Sequence, residues 1–442
     1  MTPMSMRLLL SSLLAALTMA AAAGPAAAQL SLPGGALPQT PRLPGLPVDP
    51  GALEGTARDR LQQGLQAPAR LRGLVRRSGG ALEADPAGWP VVRGEVVAVD
   101  LSPEGRRRAL QAGFAVVRDE RLPALDMTTT VLAPPRRLSL ERALERLREL
   151  DPEGSYAFNH VHAPAGELAE AGAAAAPASA PQGGRGRMGL IDTGVDASHP
   201  AVAEARIVQR GFAGPARPAP HGTAVASLMV GRSGSFSGAA PGGTLYAADV
   251  YGGSTTGGSA TALVQALAWM AENEAPVVNV SLVGPRNAVV EAAVRRAISR
   301  GMLIVAAVGN DGPSAPPLYP AAYADVVGVT AVNGRGRVLP ESGRGPQVDF
   351  AAPGADMAAA GPGQGYVNVR GSSFAAPLVA GLLSGRLSRP DRAGAEAAVA
   401  ALARTATDAG APGRDPVYGV GIVATDRRVE PRTVGARGQL SR

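Results

Sequence analysis

With 442 residues, 45% of them apolar and 18% charged, the chain is long enough for two domains and able to bury a core, which excludes general disorder. It has no cysteine, which excludes a disulfide framework, a thiolate metal site and a cysteine nucleophile. The net charge of +7 invites a nucleic-acid reading, but all 43 basic residues are arginine, they are dispersed, and aromatic residues for base stacking make up 3%; no nucleic-acid partner is expected.

The first 28 residues read as an export signal. Arg7 stands in a short polar start, an apolar run extends from Leu8 to Ala23, and Gly24-Pro25 precedes the small-residue site Ala26-Ala27-Ala28. The run is short for a bilayer span and no stop-transfer pattern follows, so a cleaved signal is expected, with no stable membrane anchor and a destination in the periplasm or the medium. Residues 29–88 begin Pro/Gly-rich, then carry an arginine-bearing helical stretch from Ala52 to Arg77 whose irregular apolar spacing suits a solvated helix or arm.

Residues 89–162 change character. VVRGEVVAVDL, FAVVRDERL, ALDMTTTVLAP and GSYAFNHV read as strands, and PEGRRRALQAG and SLERALERLREL as helices. The order strand-helix-strand-strand-helix-strand predicts a small α+β ferredoxin-like domain. Residues 163–186 are rich in Ala, Pro and Gly and read as an exposed linker. The G-x-G-x-x-G from Gly184 to Gly189 falls between that linker and a strand, the wrong context for a phosphate site.

From residue 187 to 426 short apolar runs such as MGLID, PVVNVSL, MLIVAAVGN and YADVVGVTAV alternate with helical stretches. This predicts an α/β domain with a mostly parallel sheet covered by helices on both faces, whose active site belongs at the carboxyl ends of the strands. Residues 427–442, with five arginines and one glutamate, read as a solvated basic tail.

Four polar residues stand where such a sheet presents chemistry. Asp192 ends the strand MGLID, and His221 heads the helix HGTAVASLMVG. Of the four histidines it alone begins a helix inside the sheet domain, since His160 and His162 belong to the small domain and His199 to a turn before Pro200. Asn310 follows the strand LIVAAV, and GSSFAAP opens a helix with Ser372 and Ser373 at its positive end. A carboxylate, an imidazole, a hydroxyl and an amide donor make a complete acyl-transfer set.

In these residues the chain resembles the subtilisin-like serine peptidases, or subtilases. The resemblance rests on LIDTGVDASHP, HGTAVAS, GAAPGGTLYAADV, VVNVSL, VAAVGNDGP, YPAAYADVVGVTAV, VDFAAPG, GSSFAAP and DPVYGVG, in the family's order over roughly residues 187 to 425. It implies a subtilisin-like fold and a serine endopeptidase acting through an acyl-enzyme. In that reading Asp192 is the orienting acid, His221 the general base and acid, Ser373 the nucleophile and Asn310 the oxyanion donor. It also implies Ser281, Leu282, Val283, Gly252 and Gly253 as substrate-binding residues, protein or peptide as substrate, and no cofactor.

Ala224 and Ser227 depart from the usual HGTHVAG block, and Val283 replaces a glycine of the substrate-pairing segment, which predicts a pocket for small or slender residues before the scissile bond. The segment GRSGSFSGAAP, where many relatives bind calcium, has no acidic residue, so no metal site is expected there. The small domain resembles a subtilase propeptide, which implies an intramolecular inhibitor and folding aid with its tail near Tyr156 to His162 and a cut in the segment after it. A catalytically silent peptide-binding relative is the alternative. An esterase is weaker, because residues 371–375 read G-S-S-F-A without the closing glycine of G-x-S-x-G.

Overall fold

The computed structural model describes residues 69–168 and 186–436. The expected signal sequence, residues 29–68, most of the expected linker and residues 437–442 lie outside the described residues.

In chain order the N-terminal part forms α1 (Ala69–Arg77), β1 (Leu82–Ala84), β2 (Pro90–Val99), α2 (Pro103–Gln111), β3 (Ala115–Leu122), β4 (Met127–Ala133), α3 (Leu140–Leu150) and β5 (Ser155–His160). Ser102 and Ser139 cap α2 and α3, their hydroxyls accepting from the N–H groups of Gly105 and Arg142. The antiparallel order is β5-β2-β4-β3, with β1 added along the start of β2. Side chains alternate across this sheet. Val96, Ala98, Leu132 and Phe158 bury with Ala109 of α2 and with Leu144 and Leu147 of α3, whereas Val97, Val99, Val131 and Ala157 point to the opposite face.

The remaining elements are β6 (Ala163–Pro164), β7 (Glu167–Leu168), β8 (Arg187–Asp192), β9 (Arg206–Gly211), α4 (Pro220–Val230), β10 (Arg232–Ser233), β11 (Phe236–Ser237), β12 (Thr244–Asp249), α5 (Ala260–Glu272), β13 (Val277–Val280), β14 (Leu282–Val283), α6 (Ala288–Ser299), β15 (Leu303–Ala307), β16 (Val327–Val332), β17 (Phe350–Pro353), β18 (Met357–Ala360), β19 (Tyr366–Arg370), α7 (Ser372–Ser384) and α8 (Arg392–Ala403). Seven strands pair in parallel in the order β17-β16-β15-β13-β8-β12-β9. Their continuous apolar runs follow from burial on both faces. Leu190, Val305 and Ala307 join Val225 of α4 and Val379 of α7, while Ile191, Ile304 and Ala306 join Leu263 of α5 and Val294 of α6.

The apolar outward face of β2, β4 and β5 is covered. Val97, Val99, Val131 and Ala157 share one buried cluster with α5 and α6, so a single apolar core runs from the small sheet into the large domain. Polar contacts fix the register of this docking. Thr261 N–H in the first turn of α5 donates to Asn159 Oδ1 at 3.2 Å, Gln265 donates to Glu120, and Asn287, which caps α6, donates to the Phe158 carbonyl at 2.9 Å.

Two expectations need correction. Residues 163–168 are not exposed linker: they form β6 and β7, paired to β14 and β19. Nor is the tail simply solvated over its described part, because Val434 packs into the core within a short turn from Pro431 to Val434.

Candidate active site

Asp192 closes β8, which lies between β13 and β12; the parallel topology therefore carries its carboxylate to the carboxyl edge of the sheet. The carboxylate is fully buried. Its Oδ1 accepts from Thr193 N–H at 2.6 Å and lies 2.7 Å from His221 Nδ1. Thr193 Oγ1 in turn accepts from Gly222 N–H at 2.8 Å, tying the strand end to the start of α4. An imidazole whose Nδ1–H is held by a carboxylate presents Nε2 as its basic atom. That Nε2 is buried and has no hydrogen-bond partner among the described residues.

Ser372 and Ser373 lie in the first turn of α7, where backbone N–H groups have no partner within the helix. Gly371 makes the turn possible: its φ is +131°, and a Cβ there would fall 2.6 Å from Asn310 Nδ2 and 2.9 Å from Gly166 Cα. Ser372 fixes the neighbouring loop. Its hydroxyl accepts from Gly309 N–H at 3.1 Å and its own N–H donates to Asn310 Oδ1 at 3.0 Å. Held by its oxygen, the Asn310 amide turns its nitrogen onto the carbonyl of Ala165. Ser373 N–H donates to that same carbonyl at 3.0 Å.

The two hydroxyls thus have distinct surroundings, but Ser373 Oγ does not touch His221. It donates to the Ser281 carbonyl at 3.0 Å; catalytic hydrogen bonds often tighten only in the reacting complex. Phe374 packs its ring against that of His221, with centroids 5.4 Å apart.

Pro377 lies inside α7 and has no N–H to give to the carbonyl four residues back, that of Ser373. Ser281 replaces the missing donor: its hydroxyl donates to the Ser373 carbonyl at 2.9 Å and accepts from Asn279 Nδ2 at 2.9 Å. Ser281→Ala leaves that buried carbonyl unsatisfied. The expected result is a loss of about 1–3 kcal/mol in denaturant unfolding; an unchanged midpoint would show that the carbonyl finds another donor.

The residues expected to bind substrate separate into two groups. Ser281, Leu282 and Val283 line the chain's own segment. Ala165 N–H donates to the Ser281 carbonyl at 3.2 Å, and β6 pairs antiparallel with β14 so that Pro164 faces Leu282 and Ala163 faces Val283. Gly252 and Gly253 do not: added Cβ atoms there would meet the Ala213–Gly214 backbone and the Arg217 side chain. Six residues on, Gly258 and Ser259 take that position, with His162 N–H donating to the Gly258 carbonyl at 2.8 Å and Val161 bridged to Ser259.

The histidines also divide. His199 is structural, its Nε2 3.0 Å from the Gly365 carbonyl and its Nδ1 accepting from Ala201 N–H. His160 joins Asp85 to Asn287. His162, which sequence reading leaves in the small domain, lies fully buried in the cleft. On the other side of the site β7 pairs with β19, Leu168 opposite Val369 and Glu167 opposite Arg370. Chain from 161 to 168 therefore runs through the cleft. An open cavity of about 360 Å³, lined by Ile298, Met302, Val326, Arg392 and Val399 among others, lies elsewhere, between α6 and α8. Among the described residues no group of three or more His, Cys, Asp or Glu could hold a metal.

An orienting carboxylate, an imidazole, a hydroxyl and two convergent N–H donors at the carboxyl edge of a parallel sheet are the set required for acyl transfer. Residues 187–421 match the subtilase family, and the chain belongs to it. Subtilisin E of Bacillus subtilis (strain 168) is 33% identical over 233 residues, 48% of this chain and 59% of its own length, so this chain spans under two thirds of that relative. A subtilisin of Bacillus pumilus is 33% identical over the same number of residues and is covered over 82% of its length; Subtilisin Savinase of Lederbergia lenta is 39% identical over 164 residues, 36% of this chain and 60% of its own. Among solved structures, fervidolysin from Fervidobacterium pennivorans shares the fold with a TM-score of 0.62 at 19% identity, covering 76% of this chain and 61% of that one.

Proposed function

We propose that the chain is an exported serine endopeptidase in which Ser373 attacks a peptide carbonyl, His221 shuttles the proton, Asp192 fixes the imidazole, and Asn310 with Ser373 N–H stabilises the oxyanion. One observation carries this reading: a peptide carbonyl, that of Ala165, already sits between the Ser373 N–H and the Asn310 amide. Donors that converge on the oxygen of a bound amide are placed for the charge that oxygen gains during attack. The mechanism calls for no cofactor.

Domain 89–162 is read as a ferredoxin-like propeptide acting as intramolecular inhibitor and folding aid. The strand order β5-β2-β4-β3, the apolar face laid on α5 and α6, and the tail threaded through the cleft all support it. Export rests on residues 1–28, and the final location is periplasm or medium. A pocket for small residues before the scissile bond is supported by the burial of Val283 and Ala165 in one apolar cluster with Leu318.

Hydrolysis of casein, together with fluorophosphonate labelling mapped to Ser373, tests the proposal. A folded chain that neither cleaves nor labels would favour the silent peptide-binding reading. For Asn310→Ala, kcat is expected to fall by about 10²–10³-fold with KM little changed, the scale known for the oxyanion asparagine of a subtilisin. Stopped assays over a substrate range separate the two constants, and a loss confined to KM would assign Asn310 to ground-state binding instead.

A further inference from the structure

We propose that Asp249 is a positioning residue of the reaction: from the strand beside Asp192, its two carboxylate oxygens fix the segment that delivers His221 to its place. This rests on the endopeptidase reading above and adds to it a residue that acts without touching substrate.

Asp249 closes β12 as Asp192 closes β8, and the two are register partners across the parallel pair. Both are buried, and register partners on neighbouring strands project to the same face of a sheet. A buried carboxylate needs hydrogen bonds in place of water, and Asp249 takes them from main chain on two sides. Its Oδ2 accepts from Arg217 N–H at 2.9 Å, and its Oδ1 accepts from Tyr251 N–H and Gly252 N–H, each at 2.9 Å. One side chain thus joins the loop after β12 to the loop before α4. An amide could not serve both, since it offers one acceptor oxygen where each loop needs its own.

The segment from Arg217 to Pro220 has few other holds. Pro218 and Pro220 carry no N–H and have a fixed φ, so only Arg217 and Ala219 can donate. Ala219 N–H goes to the carbonyl of Gly194, two residues beyond Asp192, at 3.0 Å, and Arg217 N–H goes to Asp249. Ala219 is the N-cap of α4 and makes no side-chain cap bond, so the approach to the helix is held by these two contacts. The crossing leaves no slack: a Cβ on Gly194 would fall 2.1 Å from the Arg217 carbonyl oxygen and 3.0 Å from Asp249 Oδ2. Because two prolines stiffen the segment, a shift at Arg217 passes to His221, four residues later, and disturbs its 2.7 Å contact with Asp192.

The test compares the purified parent with Asp249→Asn, both shown folded by melting curves, in fluorophosphonate labelling and in peptide hydrolysis over a range of substrate concentrations. The variant keeps the shape of the side chain. Its oxygen can still accept from Tyr251 and Gly252, while its NH2 group meets Arg217 N–H donor to donor. The labelling rate and kcat are expected to fall by about 10–10²-fold with KM little changed, the scale of a misplaced catalytic group. A purely structural role would lower the melting temperature and leave the folded enzyme as fast as the parent, and that result overturns the proposal. A loss confined to KM overturns it too, because a residue that only shapes the cleft would not slow labelling at Ser373. Should Asp249→Asn fail to fold, Arg217→Pro removes the same N–H and leaves the carboxylate its other two partners; a folded form labelling at the parent rate again overturns the proposal. The two failures stay apart: a folded parent that neither labels nor cleaves casein sinks the endopeptidase reading, and an active parent with an equally active Asp249→Asn sinks this inference alone.

Discussion

Ser373→Ala is expected to lower kcat/KM on casein by roughly 10⁴-fold or more, the scale set by loss of a triad member in such enzymes, while leaving thermal stability nearly unchanged. The two halves of that expectation have separate physical causes. In the proposed mechanism the hydroxyl is the bond-forming atom, so nothing else in the site would replace it. Its one hydrogen bond in the resting geometry goes to the Ser281 carbonyl, which also accepts from Ala165 N–H, so removing it strands no buried partner. Ser372→Ala should behave in the opposite way. It strips the acceptor from Gly309 N–H and loosens the loop that carries Asn310, which predicts measurable destabilisation with a smaller rate loss. Parallel melting curves and casein assays on the two variants check this; a fully active Ser373→Ala would remove Ser373 as nucleophile.

How far the sequence reaches follows from what each element depends on. Asp192, His221, Asn310 and Ser373 were legible because each ends or begins an element with a strong apolar pattern, and the parallel sheet brings such ends together. The strands β6 and β7 were not. Each has two residues, too few for a period-two signal, in a stretch whose Ala, Pro and Gly content reads as linker. Their extended form is imposed by β14 and β19. The same reason hides His162, whose role depends on where the chain goes after β5. The choice between Gly252-Gly253 and Gly258 had no local signal either: all three have positive φ, and only the path of residues 161–162 selects the last. Phe374 could have been found, since it follows Ser373 in the chain and must therefore lie near it.

Acid is expected to release the tail from the cleft, and His162 supplies the mechanism. Burial in the first place, with His160 adding to it, lowers the His162 pKa to about 3 from an ordinary 6.5. The docked segment therefore binds the neutral ring, and an undocked segment, exposed to water, takes up a proton near its ordinary value. Docking is fully favoured above about pH 6.5 and weakens as pH falls from there toward 3, by up to roughly 1.4 kcal/mol per pH unit. Hydrogen exchange on full-length Ser373→Ala, which lacks the proposed nucleophile, reads this directly. After correction for intrinsic rates, the amides of Ala165 and His162 should open up to about tenfold more often per unit below pH 6.5. His199 is also held below its ordinary value by burial, so acid loosens the protein at a second place. His162→Leu separates the two effects, because it keeps an apolar side chain in the pocket and removes the titrating group. Protection of residues 161–168 in that variant should lose most of its pH dependence, and a slope equal to that of the parent would show that His162 does not control release.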